Sequence, residues 1–375
     1  MAVEASMAAA ERMIGDAVRA CVRQPRSWVR AWLAPSPPVV SVRKGRDRRE
    51  RRSMGGQASA VRIAYLVLTH SMPDHLGRLV GALRDDGARF YVHVDRKVAI
   101  EPFLAHRAAD VEFLEQRVPV YWGQWQMVEA TLRLMALAVG HADPDYLVLL
   151  SGTDYPFRRP SHIQRLLGDG AGDHVFLNSV PMPNEALTKP ISRLERYRFR
   201  SDRSRLDNYR RAFPIMVRGP HPGTRFSRSW FLTRDWRRDL GMDPYGGSSW
   251  WALPGDAARH VLGFAEREHR VVRFFEHTRS PDESFFQTVI ANSSFASRIR
   301  RNLTYADWTG GGSHPAWITP EHVARFAEPG PFMEGGPYGR GELCFARKFR
   351  DDDGFMTGLV DAAARANASS LAVAG

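Results

Sequence analysis

The chain has 375 residues, 43% of them hydrophobic and 11% aromatic, enough to bury a large core and too many for a small single-module fold. Its formal charge is +12, which invites a nucleic-acid partner, yet +7 of this lies in residues 1–60, where twelve Lys/Arg face five Asp/Glu. The rest suits an anionic substrate, and with no RNP-type, helix-turn-helix or zinc-knuckle spacing in the chain no nucleic acid is expected.

Residues 1–60 read as a basic leader. Residues 8–33 have the pattern of an Arg-rich amphipathic helix interrupted by Pro25, and Pro35-Ser36-Pro37-Pro38 ends it. The basic run Arg43 to Arg52 fits disorder or an anionic surface. Nothing here has the apolar core of a secretory signal, and Glu4, Glu11 and Asp16 argue against an organellar transit peptide. Two readings stay open: a disordered arm with at most peripheral membrane contact, or a start-site artefact with Met54 as the alternative start. No run approaches the roughly 18 apolar residues of a transmembrane helix. Cys21 and Cys344, the two cysteines, form no CxxC and no disulfide framework, which suits a reducing compartment.

A single domain is expected over residues 61–360, followed by an Ala-rich tail at 361–375. Residues 62–69 read as a buried strand, continuous rather than alternating, as in a parallel sheet. Asp74 caps a helix carrying Leu76, Leu79, Val80 and Leu83. Phe90 to Val94 is a second strand ending on Asp95, and Val111 to Leu114 a short third. A helix over Gln124 to Val139 and a strand over Tyr146 to Leu150 follow, then a short helix opened by Ser161 and a strand over His174 to Leu177. The polar, Arg-rich stretch from Asn178 to Leu240 reads as loops over a cleft. Helices are expected over Asp256 to Glu268 and over 281–292, with Leu343 to Phe349 as a last ordered segment. Strand–helix alternation of this kind implies an α/β fold. Ligands of such sheets bind beyond the carboxyl ends of the strands, which places Thr69, His70, Asp95 and Ser151-Gly152-Thr153-Asp154 near one crevice.

The chemistry centres on Thr278-Arg279-Ser280-Pro281-Asp282-Glu283-Ser284-Phe285-Phe286. Ser280 is a natural N-cap, Pro281 suits a first helical turn, and Phe285, Phe286, Val289 and Ile290 dock the helix so that its start lies at a rim. A carboxylate there can act as a general base; the plainer alternative is that Asp282 and Glu283 complement the helix dipole. Asp95, at a strand end, can accept hydrogen bonds from a ribose or a uracil N–H, or simply cap its turn. No glycine-rich fingerprint follows the first strand, so no nicotinamide or flavin cofactor is expected. Asp143-Pro144-Asp145 is formally an Asp-x-Asp, the form of a divalent-metal site, but it precedes its strand and reads as a helix-to-strand turn. Asp351-Asp352-Asp353 reads as a solvated run, and His70, His93 and His314 have no zinc spacing. Without a metal, a diphosphate leaving group needs fixed cations, for which Arg347-Lys348, Arg300-Arg301 and Arg325 are candidates.

Together the segments resemble the core-2/I-branching β-1,6-N-acetylglucosaminyltransferase family, which includes the peptide O-xylosyltransferases. The resemblance runs from Ile63 to Phe349. It is carried by Ile63-Ala64-Tyr65 with His70, His93-Val94-Asp95-Arg96-Lys97, Trp122-Gly123 through Val128-Glu129-Ala130, and Leu149-Leu150-Ser151-Gly152-Thr153-Asp154-Tyr155-Pro156. Further on it rests on Gly247-Ser248-Ser249-Trp250, Ser280-Pro281-Asp282-Glu283 and Phe345-Ala346-Arg347-Lys348-Phe349. It implies a GT-A-like nucleotide-sugar transferase fold with a Rossmann-like, mostly parallel sheet, and an inverting mechanism that needs no metal and no cofactor. By the same resemblance Glu283 is the catalytic base and Asp95 the uridine contact, while Lys348, with Arg347 as candidate, meets the diphosphate. His70, Ser151, Gly152 and Asp154 would line the donor site; Arg193, Arg196 and Trp250 would meet the acceptor. A UDP-sugar, UDP-N-acetylglucosamine first, and a glycan hydroxyl are the expected substrates, with xylose or glucuronic acid as alternatives. A silent glycan- or anionic-surface-binding protein is the non-enzymatic rival. Lacking the signal anchor and disulfides of animal members, the chain is expected to be a bacterial, cytoplasmic relative, working at the inner membrane surface.

Overall fold

The computed structural model describes residues 60–168, 173–201, 233–312, 314–352 and 354–373. The leader and its readings lie outside these residues, as does much of the Arg-rich stretch between Asn178 and Leu240.

The continuous apolar runs become buried strands: β1 (Ile63–Thr69), β2 (Ala88–Val94), β3 (Val111–Phe113) and β4 (Tyr146–Ser151). β1 pairs in parallel with β2 and with β4, and β2 with β3. After β5 (Asp154–Pro156) come β6 (Val175–Leu177), β7 (Val180–Pro181), β8 (Tyr245–Gly246), β9 (Trp251–Pro254) and β10 (Ile299–Arg300). The seven-stranded sheet has the order β10-β6-β9-β4-β1-β2-β3. Only β9 runs against its neighbours in it, antiparallel to β4 and to β6. β11 (Thr304–Ala306), β12 (Met333–Glu334), β13 (Gly341–Glu342) and β14 (Phe345–Arg347) follow, and a second sheet has the order β11-β14-β5. This is the expected α/β architecture with a mostly parallel centre.

Side chains that alternate along the strands feed two cores. Tyr65, Phe90, Val92, Leu150, Phe157, Phe326 and Phe345 pack together on one face, with helix α1 (Pro73–Leu83) contributing Leu76, Leu79 and Leu83. Leu66, Tyr91, Leu149, Trp251 and Leu253 form the other, with helices α2 (Gln126–Ala142), α3 (Gly255–Arg267) and α4 (His269–Glu276) against them. All the described helices are too short or too polar to cross a membrane.

Three local expectations need correction. The helix expected over 281–292 is a 3₁₀ turn, Pro281–Glu283, followed by helix α5, Phe285–Ala291. Ser280 does not cap it: the residue is left-handed (φ 49°), makes no side-chain cap bond, and its N–H donates to the Gly123 carbonyl at 2.9 Å. The chain must turn sharply between α4 and α5, and that backbone bond takes the place of a cap. Asp74 likewise lies inside the first turn of α1, whose cap is the left-handed Met72, because Pro73 starts the helix. Finally, helix α6, Phe355–Val373, runs through the boundary expected at 360, with Val360 buried in the core and Asp352 accepting the Met356 N–H at its start.

Candidate active site

Register brings the strand ends together. Thr69 pairs with Val94 and Leu68 with Ser151, so β1, β2 and β4 end at one level. The Asp95 N–H donates to the Thr69 carbonyl and the Gly152 N–H to the Leu68 carbonyl, both at 2.8 Å. A Cβ on Gly152 would collide with the Thr69 hydroxyl, so the approach requires glycine. His70 lies exposed just past the end of β1.

Asp95 is 6% exposed and partly occupied by its own turn. One oxygen accepts the Lys97 N–H at 2.9 Å and the Val120 N–H at 3.4 Å; the other lies 3.5 Å from the Lys97 ammonium. Nearby His93 accepts the Val118 N–H at 2.9 Å, and burial pushes its pKa down to about 4, so it stays neutral. The turn-capping reading of Asp95 is therefore fulfilled, and a nucleoside contact would fall to the oxygen facing Lys97.

Asp154 is not a surface group. It is fully buried, accepts the Ser151 N–H at 2.9 Å, and lies 3.6 Å from the Arg347 guanidinium. Burial pushes its pKa up to about 6 against the pull of Arg347. Its place under the Ser151 turn makes it a support of that turn. Trp250 also moves from its expected place: its ring stacks on the Arg347 guanidinium, 4.2 Å from centroid to carbon. Three segments far apart in sequence meet at this point. The next residue, Lys348, sits with its ammonium 4.2 Å from the Trp317 ring, and Phe349 donates its N–H to the Thr153 carbonyl at 2.9 Å. Burial and then the charge of Arg347 lower the Lys348 pKa. Trp317, rather than the neighbouring phenylalanines, holds the lysine. The other candidate cations are engaged elsewhere: Arg301 with Glu334, Arg300 with the carbonyls of Ser297 and Ile299, Arg325 with the Tyr305 hydroxyl.

Glu283 rides on the 3₁₀ turn ahead of α5. That helix is anchored by Phe285, Phe286, Val289 and Ile290, each no more than 1% exposed. Burying such side chains is worth roughly 1.5–3 kcal/mol apiece, so the turn rests on a stiff base. Its backbone carbonyl accepts the Gly247 N–H at 2.8 Å. A Cβ on Gly247 would strike the Asn178 carbonyl, so only glycine lets this segment lie against the Asn178 backbone. The Glu283 carboxylate, 30% exposed, is held by Lys189 at 2.5 Å and Arg193 at 2.7 Å. Burial alone would raise its pKa; the two cations outweigh it and hold the carboxyl below its usual range. Asp282 points elsewhere, accepting the Ser249 hydroxyl at 2.6 Å, and its pKa is pushed up to about 6 by burial and by the charge of Glu283. Arg193 thus joins the base, whereas Arg196 is exposed and pairs its backbone with Thr233.

Lys189 is the residue the sequence reading missed. Neither motif nor spacing marks it, 94 positions before its partner. One signal was available: the chain holds only four lysines, Lys44, Lys97, Lys189 and Lys348, against 49 arginines. Of these, Lys97, Lys189 and Lys348 all lie beside groups of the candidate site. Lys189→Met should leave Glu283 with one cation and raise its pKa, moving the acid limb of the kcat/KM profile to higher pH. An unmoved limb would mean that Glu283 does not set it. A wild-type limb near pH 6 would point to Asp282.

Both carboxylates of the Asp-x-Asp turn are engaged by arginines. Asp145 binds the Arg62 backbone and guanidinium, and Asp143 pairs with Arg259 at 2.7 Å, at the amino end of β4. Asp351, half exposed, pairs with Arg78 at 3.4 Å. Among the described residues His162, Glu342 and Cys344 bring ligand atoms within 4.8 Å of one another, but none belongs to the crevice segments.

The family described as "Branch: Core-2/I-Branching enzyme" matches residues 63–326. The chain belongs to the core-2/I-branching enzyme family. Xylosyltransferase 2 of Mus musculus and of Homo sapiens are each 27% identical to it over 259 residues, 66% of this chain. Xylosyltransferase 1 of Canis lupus familiaris is 25% identical over 261 residues. The matches span only about a quarter of these longer relatives, 27% and 24% of their lengths. Among solved structures, the galactosyltransferase LgtC in complex with donor and acceptor sugar analogs has a TM-score of 0.35 at 12% identity, covering 81% of this chain and 95% of that one. That likeness is too slight to carry an argument.

Proposed function

We propose that this chain is a glycosyltransferase that moves one sugar from a UDP-sugar to a glycan hydroxyl with inversion and without a metal ion. The observation that carries the reading is the pairing of Glu283 with Lys189 and Arg193 on a rigid turn that is linked through Ser249 and its neighbour Trp250 to Arg347. Glu283 takes the proton from the acceptor hydroxyl as its oxygen attacks the anomeric carbon. The bond from that carbon to the β-phosphate oxygen breaks on the opposite face, and UDP leaves with the electron pair. Lys348 and Arg347 face the charge that develops there, in a partly dry site where a fixed cation counts for more than in water. Asp95 holds the nucleoside, and the Ser151–Gly152 turn supplies backbone beside the phosphates.

N-acetylglucosamine, in a β-1,6 linkage, is the sugar expected from the family resemblance. The named relatives are xylosyltransferases, which brings xylose forward as the second reading. UDP release from UDP-N-acetylglucosamine and UDP-xylose, with a panel of glycan and glycoside acceptors, tests both. Release with one donor fixes the sugar. No release with any donor and acceptor would leave the non-catalytic reading standing.

A further inference from the structure

Residues Val118 to Gly123 form a strap across the candidate site that the proposed mechanism has not used. At one end it is tied to the nucleoside side: the Arg96 N–H donates to the Val118 carbonyl at 3.2 Å, the Val120 N–H to Asp95 at 3.4 Å, and the Lys97 ammonium to the Val120 carbonyl at 2.5 Å. Lys97 also sits over the Tyr121 ring, 4.5 Å from its centroid. At the other end the Gly123 carbonyl accepts the Ser280 N–H, whose own carbonyl accepts the Glu283 N–H at 3.1 Å. The strap therefore joins the carboxylate assigned to the nucleoside to the turn that carries the base. A fully extended chain covers about 3.5 Å per residue, so Val120 and Gly123 lie no more than about 10 Å apart.

Trp122 stands in that interval with 63% of its surface exposed. Its neighbours Gly123, Gln124 and Trp125 are all buried, so the backbone beneath it is fixed. Arg279, from the base turn itself, approaches the ring to 5.7 Å. A bare indole on a rigid backbone, between a nucleoside contact and a general base, has one natural ligand in a glycosyltransferase. It offers a flat apolar face of the size of a pyranose ring, whose axial C–H bonds make an apolar face in turn.

We propose that Trp122 is the platform for the pyranose being transferred, and that with Arg279 behind it this ring sets which donor sugar is held for attack. The proposal rests on the UDP-sugar reading above and adds a residue to it. The chain passes from the nucleoside carboxylate to the base over four residues, Val120 to Gly123. The donor sugar is the part of the substrate that lies between those two groups.

Calorimetric titration of the full chain with UDP, UDP-xylose and UDP-N-acetylglucosamine tests it without any acceptor. Trp122→Ala should weaken at least one UDP-sugar by roughly tenfold, the loss of one well-covered apolar contact, while UDP binds as before. Trp122→Phe should recover most of that loss. An unchanged thermal midpoint, expected for so exposed a side chain, removes misfolding as the cause. If Trp122→Ala binds both UDP-sugars as tightly as the wild type does, the ring serves the acceptor or only the surface, and the proposal is overturned. If UDP and UDP-sugars weaken equally, the ring acts on the nucleotide and the proposal is overturned as well. A wild-type chain that binds neither UDP nor a UDP-sugar sinks the donor reading itself, which is a different failure.

Discussion

Glu283→Gln is expected to lower kcat by ~10²–10⁴-fold, the usual cost of removing a general base, and to leave UDP affinity unchanged. The amide keeps the shape of the side chain and can still accept from Lys189 or Arg193, the two cations that hold the carboxylate at 2.5 and 2.7 Å. It cannot take a proton from an incoming hydroxyl. Because the substitution also leaves the buried Lys189 and the partly buried Arg193 short of a counter-charge, the thermal midpoint must be read alongside the rate. Glu283→Ala with added formate gives an independent check, since a small carboxylate entering the vacated space should restore part of the turnover. A glutamine variant within a few-fold of wild type would transfer the role to Asp282, whose Asn variant would then show the loss.

The second large effect is expected at the leaving group. Lys348→Ala should reduce turnover by about 10²-fold, as when one donor to a developing anion is removed, and EDTA should not affect the wild type. The argument is electrostatic. Breaking the bond to UDP concentrates charge on the β-phosphate, and the crevice answers with the ammonium held over Trp317 and the guanidinium held over Trp250. Added Mn²⁺ should rescue the alanine variant in part, by placing a mobile cation in the space the ammonium leaves. Wild-type activity abolished by EDTA and restored by Mn²⁺ would end the metal-free account.

Much of the scaffold was legible in the sequence because it is written in local patterns. The runs that became β1, β2 and β4 are continuous and apolar, as strands covered on both faces must be, and their ends gave the crevice. The helices over 126–142 and 255–267 followed from period and length. Where the reading erred, a contact from far along the chain overrode a local preference. Ser280 has the residue type of an N-cap, but its N–H is taken by Gly123 and its backbone turns left-handed, which no propensity announces. Asp154 looked like a ligand because it ends a strand at the crevice; only the fold shows it buried beneath that strand's loop with Arg347. Trp250 and Lys189 depend on partners about a hundred residues away, and such pairings leave no mark on either segment alone. Lysine scarcity was the one compositional clue, and it acquires meaning only when three of the four are seen beside groups of one site.

The meeting of Asp154, Trp250 and Arg347 has a consequence for how such a site can diversify. Each of the three residues is the environment of the others: the carboxylate is buried because the guanidinium answers it, and the guanidinium sits there because the indole covers it. A change at one position leaves a charge or a ring face unmatched, so the three constrain one another. Trp122, with its exposed ring, carries no such mutual dependence. Under the proposed UDP-sugar chemistry, single steps at the rim can therefore exchange one sugar for another while the buried trio stays in place.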